Sequence, residues 1–151
     1  MRRLVERACA GAWPEDEALD QLTLAFDDRR RRRMRLATDR GEDVLLDLPQ
    51  ALALHDGDGL RTDEGSWLAI RAADEAVLDI LAESPNHLTR IAWHLGNRHI
   101  PTEVRPDGKL RILDDHVLAD MLCGLGARLE RKMAPFEPET GAYGRHAHGH
   151  D

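Results

Sequence analysis

The second half of the sequence predicts six elements whose order restricts the fold more than any other feature of the chain. Residues 76–82 form a short, mostly apolar strand, and Ser84 and Pro85 after it match a helix N-cap followed by proline at the first helical position. The helix has its apolar residues at the i, i+3, i+4, i+7 spacing of one buried face: Leu88, Ile91, Ala92 and Leu95. Gly96 and Asn97 are residues able to take the left-handed conformation that ends a helix, so the helix is predicted to stop there.

Two strands follow at 100–105 and 109–113, joined by a Pro-Asp-Gly sequence that suits a tight turn. Asp114 is predicted to cap a second helix that stops at Gly126, and a last strand spans 128–133. The predicted apolar face of this helix is Val117, Leu118, Met121, Leu122 and Leu125. The order βαββαβ is that of a ferredoxin-like sandwich, with two helices on one face of an antiparallel sheet.

The first half has the alternation and glycine punctuation of short β-strands. Residues 32–37 and 44–48 flank a polar turn that contains glycine, which predicts a hairpin. The other predicted strands are 22–26, 52–54 and 67–70. The chain is therefore predicted to be an α+β protein with an all-β domain at 1–73, a small barrel or sandwich; a ferredoxin-like domain at 74–140; and a tail at 141–151.

Charge and composition argue against nucleic acid as a partner. The formal net charge is −7 and aromatic residues are 4% of the chain, so there is little to attract phosphates or to stack on bases. No apolar run approaches the ~18 residues of a membrane span, and no long apolar signal core follows Met1, which predicts a cytoplasmic protein without membrane contact. Cys9 and Cys123 lie far apart in the sequence and predict reduced thiols.

A run of arginines, Arg29 to Arg33, also lies in the first half. It follows two aspartates and leads into a predicted strand, so we interpret it as a strand with solvated arginines. A patch that docks an acidic partner is the alternative.

The last six residues contain three of the chain's eight histidines, His146, His148 and His150. Imidazole is a donor suited to nickel, copper, zinc and cobalt, and alternate residues of an extended segment point to one side. An expression tag is the alternative, but tags are usually unbroken histidine runs. The spacing predicts a metal-binding tail.

Several segments together resemble a known family. They are His-Leu-Gly-Asn-Arg-His-Ile-Pro at 94–101, Asp-His-Val-Leu-Ala-Asp-Met-Leu at 115–122, Pro-Phe-Glu-Pro-Glu at 135–139, Gly-Ala-Tyr at 141–143 and the histidine-containing tail. The chain resembles the UreE-type urease accessory proteins over nearly its whole length, and the Gly-Asn-Arg-His element combined with the tail is the specific part.

The resemblance implies a nickel metallochaperone, a carrier and not an enzyme, that binds Ni(II) through histidines and helps to load the urease active site. It implies a β domain that contacts protein partners, with urease and other urease accessory proteins as the expected ones. It also implies a metal-binding domain that forms a homodimer. The principal nickel-binding histidine of the family matches His99. Some members carry two histidines near the start of the second helix, where this chain keeps His116 and has Asp114 in place of the other.

Without the resemblance, the histidines of the folded part have plainer interpretations. A lone His99 after a helix end is more often a structural residue than a ligand. His94 lies beside an apolar face, and we interpret it, like His55 and His87, as a packed or surface residue. His116 falls in the first turn of its helix, where the helix dipole favours the neutral, ligand-competent imidazole, and both interpretations stay open for it.

A carrier must hold its metal and also release it, and a few imidazoles with open coordination positions meet that need better than a closed zinc site with cysteines. One His99 per chain is a weak ligand set, so a homodimer that brings both copies to one ion on its two-fold axis is expected. Imidazole also accepts Zn(II) or Cu(II), so nickel follows from the resemblance alone. A divalent-metal buffer or sensor without a delivery partner is the alternative, and no His-Glu-x-x-His helix predicts a hydrolase.

Overall fold

Short alternating strands form one mixed sheet in the first of the two units into which the chain divides. The computed structural model describes residues 1–140, and its units are Met1–Ala73 and a second that begins at Asp74. The strands of the first unit are β1 (Arg2–Ala8), β2 (Ala18–Leu24), β3 (Arg33–Ala37), β4 (Asp43–Asp47), β5 (Gly59–Thr62) and β6 (Trp67–Ala72). They lie in the order β2-β6-β5-β1-β4-β3, and the pairs β1 with β4 and β2 with β6 are parallel.

The sheet curls until its two outer strands approach each other. Asp39, just after β3, donates its backbone N–H to the Gln21 carbonyl oxygen of β2 at 2.9 Å. Its carboxylate accepts from Gln21 Nε2 at 3.0 Å and from Thr23 Oγ1 at 2.9 Å. The curled sheet encloses an apolar core that includes Leu4, Leu22, Leu46, Leu60, Leu68 and Ile70.

The predicted hairpin is confirmed as β3 paired antiparallel with β4, and the described residues 1–73 contain no α-helix. Two predictions differ from the structure. Residues 52–54 are not a strand, and the strand predicted at 22–26 is β2, which begins earlier and ends before Phe26. The sequence analysis missed β1 and β5, because charged residues interrupt the apolar pattern of both strands.

The interpretation of the arginine run as a strand is wrong for Arg29 to Arg32. Phe26–Arg30 form a short 3-10 helix, and Arg29 is only 2% exposed. Its Nε donates to the Leu24 carbonyl oxygen at 3.1 Å and its Nη1 donates to that of Leu54 at 3.2 Å. Arg29 is therefore a buried structural residue, and only Arg33 of the run lies in a strand.

The second unit is a ferredoxin-like sandwich, as predicted. Its elements are β7 (Asp74–Leu81), α1 (Pro85–Asn97), β8 (Glu103–Val104), β9 (Leu110–Leu113), α2 (His116–Gly124) and β10 (Arg128–Pro135). The sheet is antiparallel where neighbouring strands pair and has the order β10-β7-β9-β8. Both helices pack on one face of it, through a core that includes Leu78, Ile80, Ile91, Leu95, Ile112 and Leu122.

The N-cap residue predicted for α1 is confirmed, and the one predicted for α2 is wrong. Ser84 accepts the His87 N–H at 3.1 Å, which confirms the predicted cap. In the second helix the cap is Asp115, whose carboxylate accepts two backbone N–H bonds at 2.8 and 3.1 Å. Asp114 instead pairs with Arg131 at 2.9 Å. The helix faces the core through Ala119 and Leu122, so Val117, predicted to be buried, is 63% exposed.

α1 ends at Asn97, as predicted, but the residue that takes the left-handed conformation is His99 and not Gly96 or Asn97. His99 has φ +57°, the left-handed conformation, and no other described residue except glycine has a positive φ. Its N–H donates to the Gly96 carbonyl oxygen at 3.0 Å, and the Ile100 N–H donates to that of Leu95 at 3.1 Å. This is a Schellman motif, in which Ile100 returns to pack in the same apolar cluster as Leu95.

The second helix ends in the same motif with glycine at the equivalent position. Gly126 has φ +85°, its N–H donates to the Cys123 carbonyl oxygen at 2.9 Å, and the Ala127 N–H donates to that of Leu122 at 3.1 Å. A left-handed residue with a Cβ costs ~1–2 kcal/mol, which glycine avoids. The turn after α2 therefore has glycine, the residue with the lowest cost in this conformation, whereas the turn after α1 has a histidine and keeps a side chain.

The face of the second sheet that lies away from the helices contains a buried ion pair. Arg111 donates to Asp79 through Nε at 2.6 Å and through Nη2 at 3.1 Å, and both residues are almost fully buried. Lys132 lies 3.1 Å from the same carboxylate. Burial raises the pKa of Asp79, but the hydrogen bonds and charges of Arg111 and Lys132 outweigh it, so the pKa lies below its ordinary value.

Exchanging the residues at the two helix ends should have opposite effects on stability. His99→Gly removes the cost of the left-handed conformation and is expected to raise the free energy of unfolding by about 0.5–1 kcal/mol, whereas Gly126→Ala should lower it by about 1 kcal/mol. A Cβ at Gly126 would meet only ordinary contacts, 3.7 Å from His87, so the loss is conformational. Urea denaturation measures both changes, and a less stable His99→Gly variant would show that the imidazole itself supports the fold.

Replacement of the buried carboxylate, Asp79→Asn, should lower the free energy of unfolding at neutral pH by about 3 kcal/mol, because it leaves Arg111 buried without its counter-charge. A lowered folded-state pKa contributes stability above the unfolded value near 3.9, and this contribution is lost as the pH falls through the folded value. The difference in free energy of unfolding between parent and variant should therefore become smaller below about pH 4. Denaturation at several pH values tests this, with the exposed Asp120→Asn as control, and a difference independent of pH would contradict it.

Candidate metal centre

His99 presents an uncommitted imidazole at the end of α1. The residue is exposed, and among residues 1–140 no hydrogen bond or ion pair engages its ring. Its backbone is held on both sides, by its own N–H bond to Gly96 and by the Ile100 bond to Leu95. The ring is thus carried by a fixed backbone and is available to an external ligand.

His116, the first residue of α2, is exposed as well. It lies beside the cap Asp115, in the first helical turn, where backbone N–H groups face outward. Its side chain is therefore accessible to solvent at the start of the helix.

The topology brings His99 and His116 to the same end of the second unit. β8 and β7 are both antiparallel to β9, so α1 returns the chain to the end of the sheet where β7 begins. β9 finishes at this end too, because Leu113 lies opposite Val77, and α2 starts directly afterwards. We call this end, with His99 and His116, the histidine end.

The described part of the chain contains no group of three or more His, Cys, Asp or Glu side chains that could hold a metal ion. The histidine end of one chain therefore does not make a complete ligand set from residues 1–140. His146, His148 and His150 lie outside the described residues.

The remaining histidines have other partners. His87 accepts the Glu83 N–H at Nδ1, 3.0 Å away, and its Nε2 lies 2.7 Å from the Leu125 carbonyl oxygen, so both ring nitrogens are used. His94 stacks edge-on against Trp93 and lies 3.4 Å from Arg98 Nη1. His55 belongs to the first unit, where its backbone N–H donates to Asp58 at 2.9 Å.

Sequence reasoning missed the segment 136–140, which we call the strap. Phe136 and Pro138 are buried, and the Glu139 N–H donates to the Thr102 carbonyl oxygen at 2.8 Å. The Glu137 N–H donates to Glu103 Oε1 at 2.9 Å. The strap thus leads from the end of β10 to the chain just after His99. An aromatic residue between two prolines after the last strand was the signal that could have indicated it.

A large apolar side chain is exposed on α1 close to the histidine end. Trp93 is 61% exposed, and Ala92 and Gly96 are exposed on the same side of the helix. A Cβ at Gly96 would meet nothing within 4 Å, so the helix backbone is open to close approach there.

The first unit has a cleft of about 360 Å³ lined by ten residues, none of them histidine or cysteine. Trp13, Leu19, Arg40 and Arg71 are among them. The cleft therefore lacks the soft donors of a nickel site.

Among the described helices, none has the length and apolar character needed to cross a membrane.

Comparison with known proteins gives two matches that together span nearly all of the chain. Residues 2–73 match the family model described as UreE urease accessory protein, N-terminal domain, and residues 75–151 match its C-terminal domain.

Curated relatives named urease accessory protein UreE are about half identical to the chain. The one from Bradyrhizobium sp. (strain ORS 278) is 49% identical over 138 residues, 91% of this chain and 65% of the relative. Those from Rhodopseudomonas palustris (strain HaA2) and Burkholderia pseudomallei (strain 1710b) are 50% and 53% identical over 131 residues, which cover 87% and 86% of this chain. The chain spans 60% and 64% of these two relatives' own length. These matches confirm the resemblance carried by the Gly-Asn-Arg-His segment, and the chain belongs to the UreE urease accessory protein family.

Proposed function

We propose that this protein is a nickel metallochaperone that binds Ni(II) through histidines and delivers it for assembly of the urease active site. The observation that carries the proposal is the state of His99, an exposed imidazole without partners among residues 1–140, held by a left-handed backbone that glycine would adopt at lower cost. A strained residue at a helix end is a reason to look for a function. The family supports nickel as cargo and urease as destination.

The proposed site is shared by two chains. One imidazole cannot hold a specific ion, but an isologous interface places His99 of both chains at one point on the two-fold axis. The exposed Trp93 beside Ala92 and Gly96 supports this interface, because it offers apolar area and a close backbone approach near His99. Two imidazoles and open positions form a site that can both bind and release.

Further ligands come from His116 and the tail in this proposal. His116 lies at the same end of the second unit as His99. The strap ends at residue 140, hydrogen-bonded beside Thr102, and the six residues from there to His146 can extend about 20 Å. The tail histidines His146, His148 and His150 can therefore reach an ion bound to His99, and they provide a route for its entry and exit.

The choice of metal and of partner rests on the family. Imidazole ligands by themselves favour Cu(II) over Ni(II), and Zn(II) also suits them, so the site is expected to accept all three ions in isolation. Delivery then depends on recognition of urease and other urease accessory proteins, which we assign to the first unit. The protein acts as a carrier, without catalysis.

The main test is His99→Ala. Nickel affinity should fall at least about 100-fold, because a directly bonded ligand is lost from both halves of the shared site. The dimer should persist, since apolar surface holds it. Calorimetry and light scattering measure both properties, and His55→Ala, which removes one imidazole from the first unit, is the control. Nickel binding by the parent should also weaken as the pH is lowered, because protons compete with the metal for the imidazole nitrogens.

A His99→Ala variant that binds nickel as tightly as the parent, with one ion still shared by two chains, would refute the proposal.

Deletion of residues 144–151 should lower the number of nickel ions bound per dimer and leave the shared site occupied, because the tail adds donors without forming that site. Equilibrium dialysis of intact and shortened protein measures the stoichiometry. Complete loss of nickel binding would show that the principal site lies in the tail.

A further inference from the structure

The cleft of the first unit lies on the outer face of the curled sheet. Alternate residues of β6 belong to the apolar core, so those between them, including Trp67 and Ala69, face outward. Trp13 covers part of this face, and its ring stacks on Trp67 with the centroids 5.5 Å apart. Its Nε1 also donates to the Gly57 carbonyl oxygen at 3.0 Å. The indole that lines the cleft is therefore fixed by a ring contact and a hydrogen bond.

The cleft also contains the two arginines of the first unit that are not paired. Residues 1–73 contain twelve arginines, and all of them except Arg40 and Arg71 form a side-chain hydrogen bond or an ion pair with another described residue. Both exceptions are exposed, and both line the cleft. Among residues 1–140, the unpaired guanidinium groups of the first unit are therefore concentrated at this one surface.

The carboxylates that line the cleft already accept hydrogen bonds from the chain itself. Glu15 accepts the Gly11 N–H at 3.1 Å, and Asp20 accepts the Gln21 N–H at 2.8 Å. Gln21 also donates through Nε2 to Asp39 at 3.0 Å. The cleft thus offers free donors, whereas each of its carboxylates is engaged. A ligand that fits it must bring acceptors, and its carboxylates must lie at the arginines, away from the three carboxylates of the lining.

We infer that the cleft binds an extended segment of a protein partner in which a leucine-sized apolar side chain lies between two carboxylates. Arg40 and Arg71 hold the carboxylates, and guanidinium groups suit them because they can donate two parallel hydrogen bonds. Trp13 and Leu19, which is 44% exposed, contact the apolar side chain. Tryptophan and arginine are the residues that most often dominate the affinity of protein interfaces. The inference rests on the proposed function, because it names the surface by which the first unit recognises a delivery partner.

The first experiment adds the peptide Ala-Glu-Leu-Glu-Ala, with both ends blocked, to the full chain and follows backbone amide signals by nuclear magnetic resonance. Binding should shift the signals of residues that line the cleft. Arg40→Gln and Arg71→Gln should each weaken it about three-fold, and the double variant about ten-fold, because each substitution removes one exposed ion pair. Arg61→Gln is the matched control, since this exposed arginine pairs with Glu6 and does not line the cleft.

The peptide Ala-Gln-Leu-Gln-Ala keeps the apolar side chain and lacks both charges, so it should bind about ten-fold more weakly than the acidic peptide. Equal binding of the two peptides would overturn the inference. So would the absence of shifts in the cleft when the parent protein is mixed with the acidic peptide at millimolar concentration.

The second experiment measures binding of the full chain to urease assembled with its other accessory proteins. The Arg40→Gln/Arg71→Gln variant should bind this assembly about ten-fold more weakly than the parent and should bind nickel with the parent's affinity. An unchanged affinity for the assembly would overturn the inference and leave nickel binding dependent on His99. Failure of the proposed function is distinct, because it appears as a His99→Ala variant with unchanged nickel affinity.

Discussion

The left-handed turn at His99 is the constraint on which the second unit depends. It stops α1, sends Ile100 back into the core beside Leu95, and directs the chain toward β8. Because the Schellman hydrogen bonds use only the backbone, the turn would form with any residue that tolerates a positive φ, and glycine tolerates it best. The turn therefore leaves the imidazole free. The backbone turn and the imidazole at His99 are therefore independent of each other. Histidine adopts here, at some cost in free energy, a conformation that glycine would adopt more easily.

The face of the second sheet that lies opposite the helices is the second feature that shapes this unit. In a ferredoxin-like sandwich this face is not covered by helices, yet here it contains the buried pair of Asp79 and Arg111. Buried charges need close pairing and further hydrogen bonds, and Arg111 satisfies one more of its donors with the Pro135 carbonyl oxygen. The strap then packs Phe136 out of solvent. The ion pair is thus bonded to the residue before the strap, and the strap in turn is bonded at Glu139 to Thr102, three residues after His99.

Local signals in the sequence predicted most of the second unit. The capping serine with proline after it and the glycine after α2 each act within a few residues, and the structure confirms them. The apolar spacing of α1 is confirmed by buried Ile91 and Leu95, whereas Ala92 is exposed. Two adjacent aspartates, Asp114 and Asp115, both fit a cap, and the structure shows that Asp115 accepts the helix N–H bonds while Asp114 pairs with Arg131. Val117 is exposed because α2 faces the core through Ala119 and Leu122. The prolines around Phe136 could indicate a packed segment after the last strand, but not its partner, since a side chain joins residues 103 and 137 across a long sequence separation.

The sequence likewise predicted only part of the candidate site. The family resemblance marked His99, and position at a helix start marked His116, but the sequence alone could not show that topology brings them to one end of the unit, nor that His87 uses both ring nitrogens. Nor could it show that residues 1–140 of a single chain lack a third ligand nearby. That incompleteness has a physical consequence for a carrier. In the site we propose, which two chains complete and the tail histidines extend, the metal affinity depends on contacts outside the coordination sphere. Any partner that alters those contacts then changes the affinity without replacing a ligand, and a metal can be released where the partner binds.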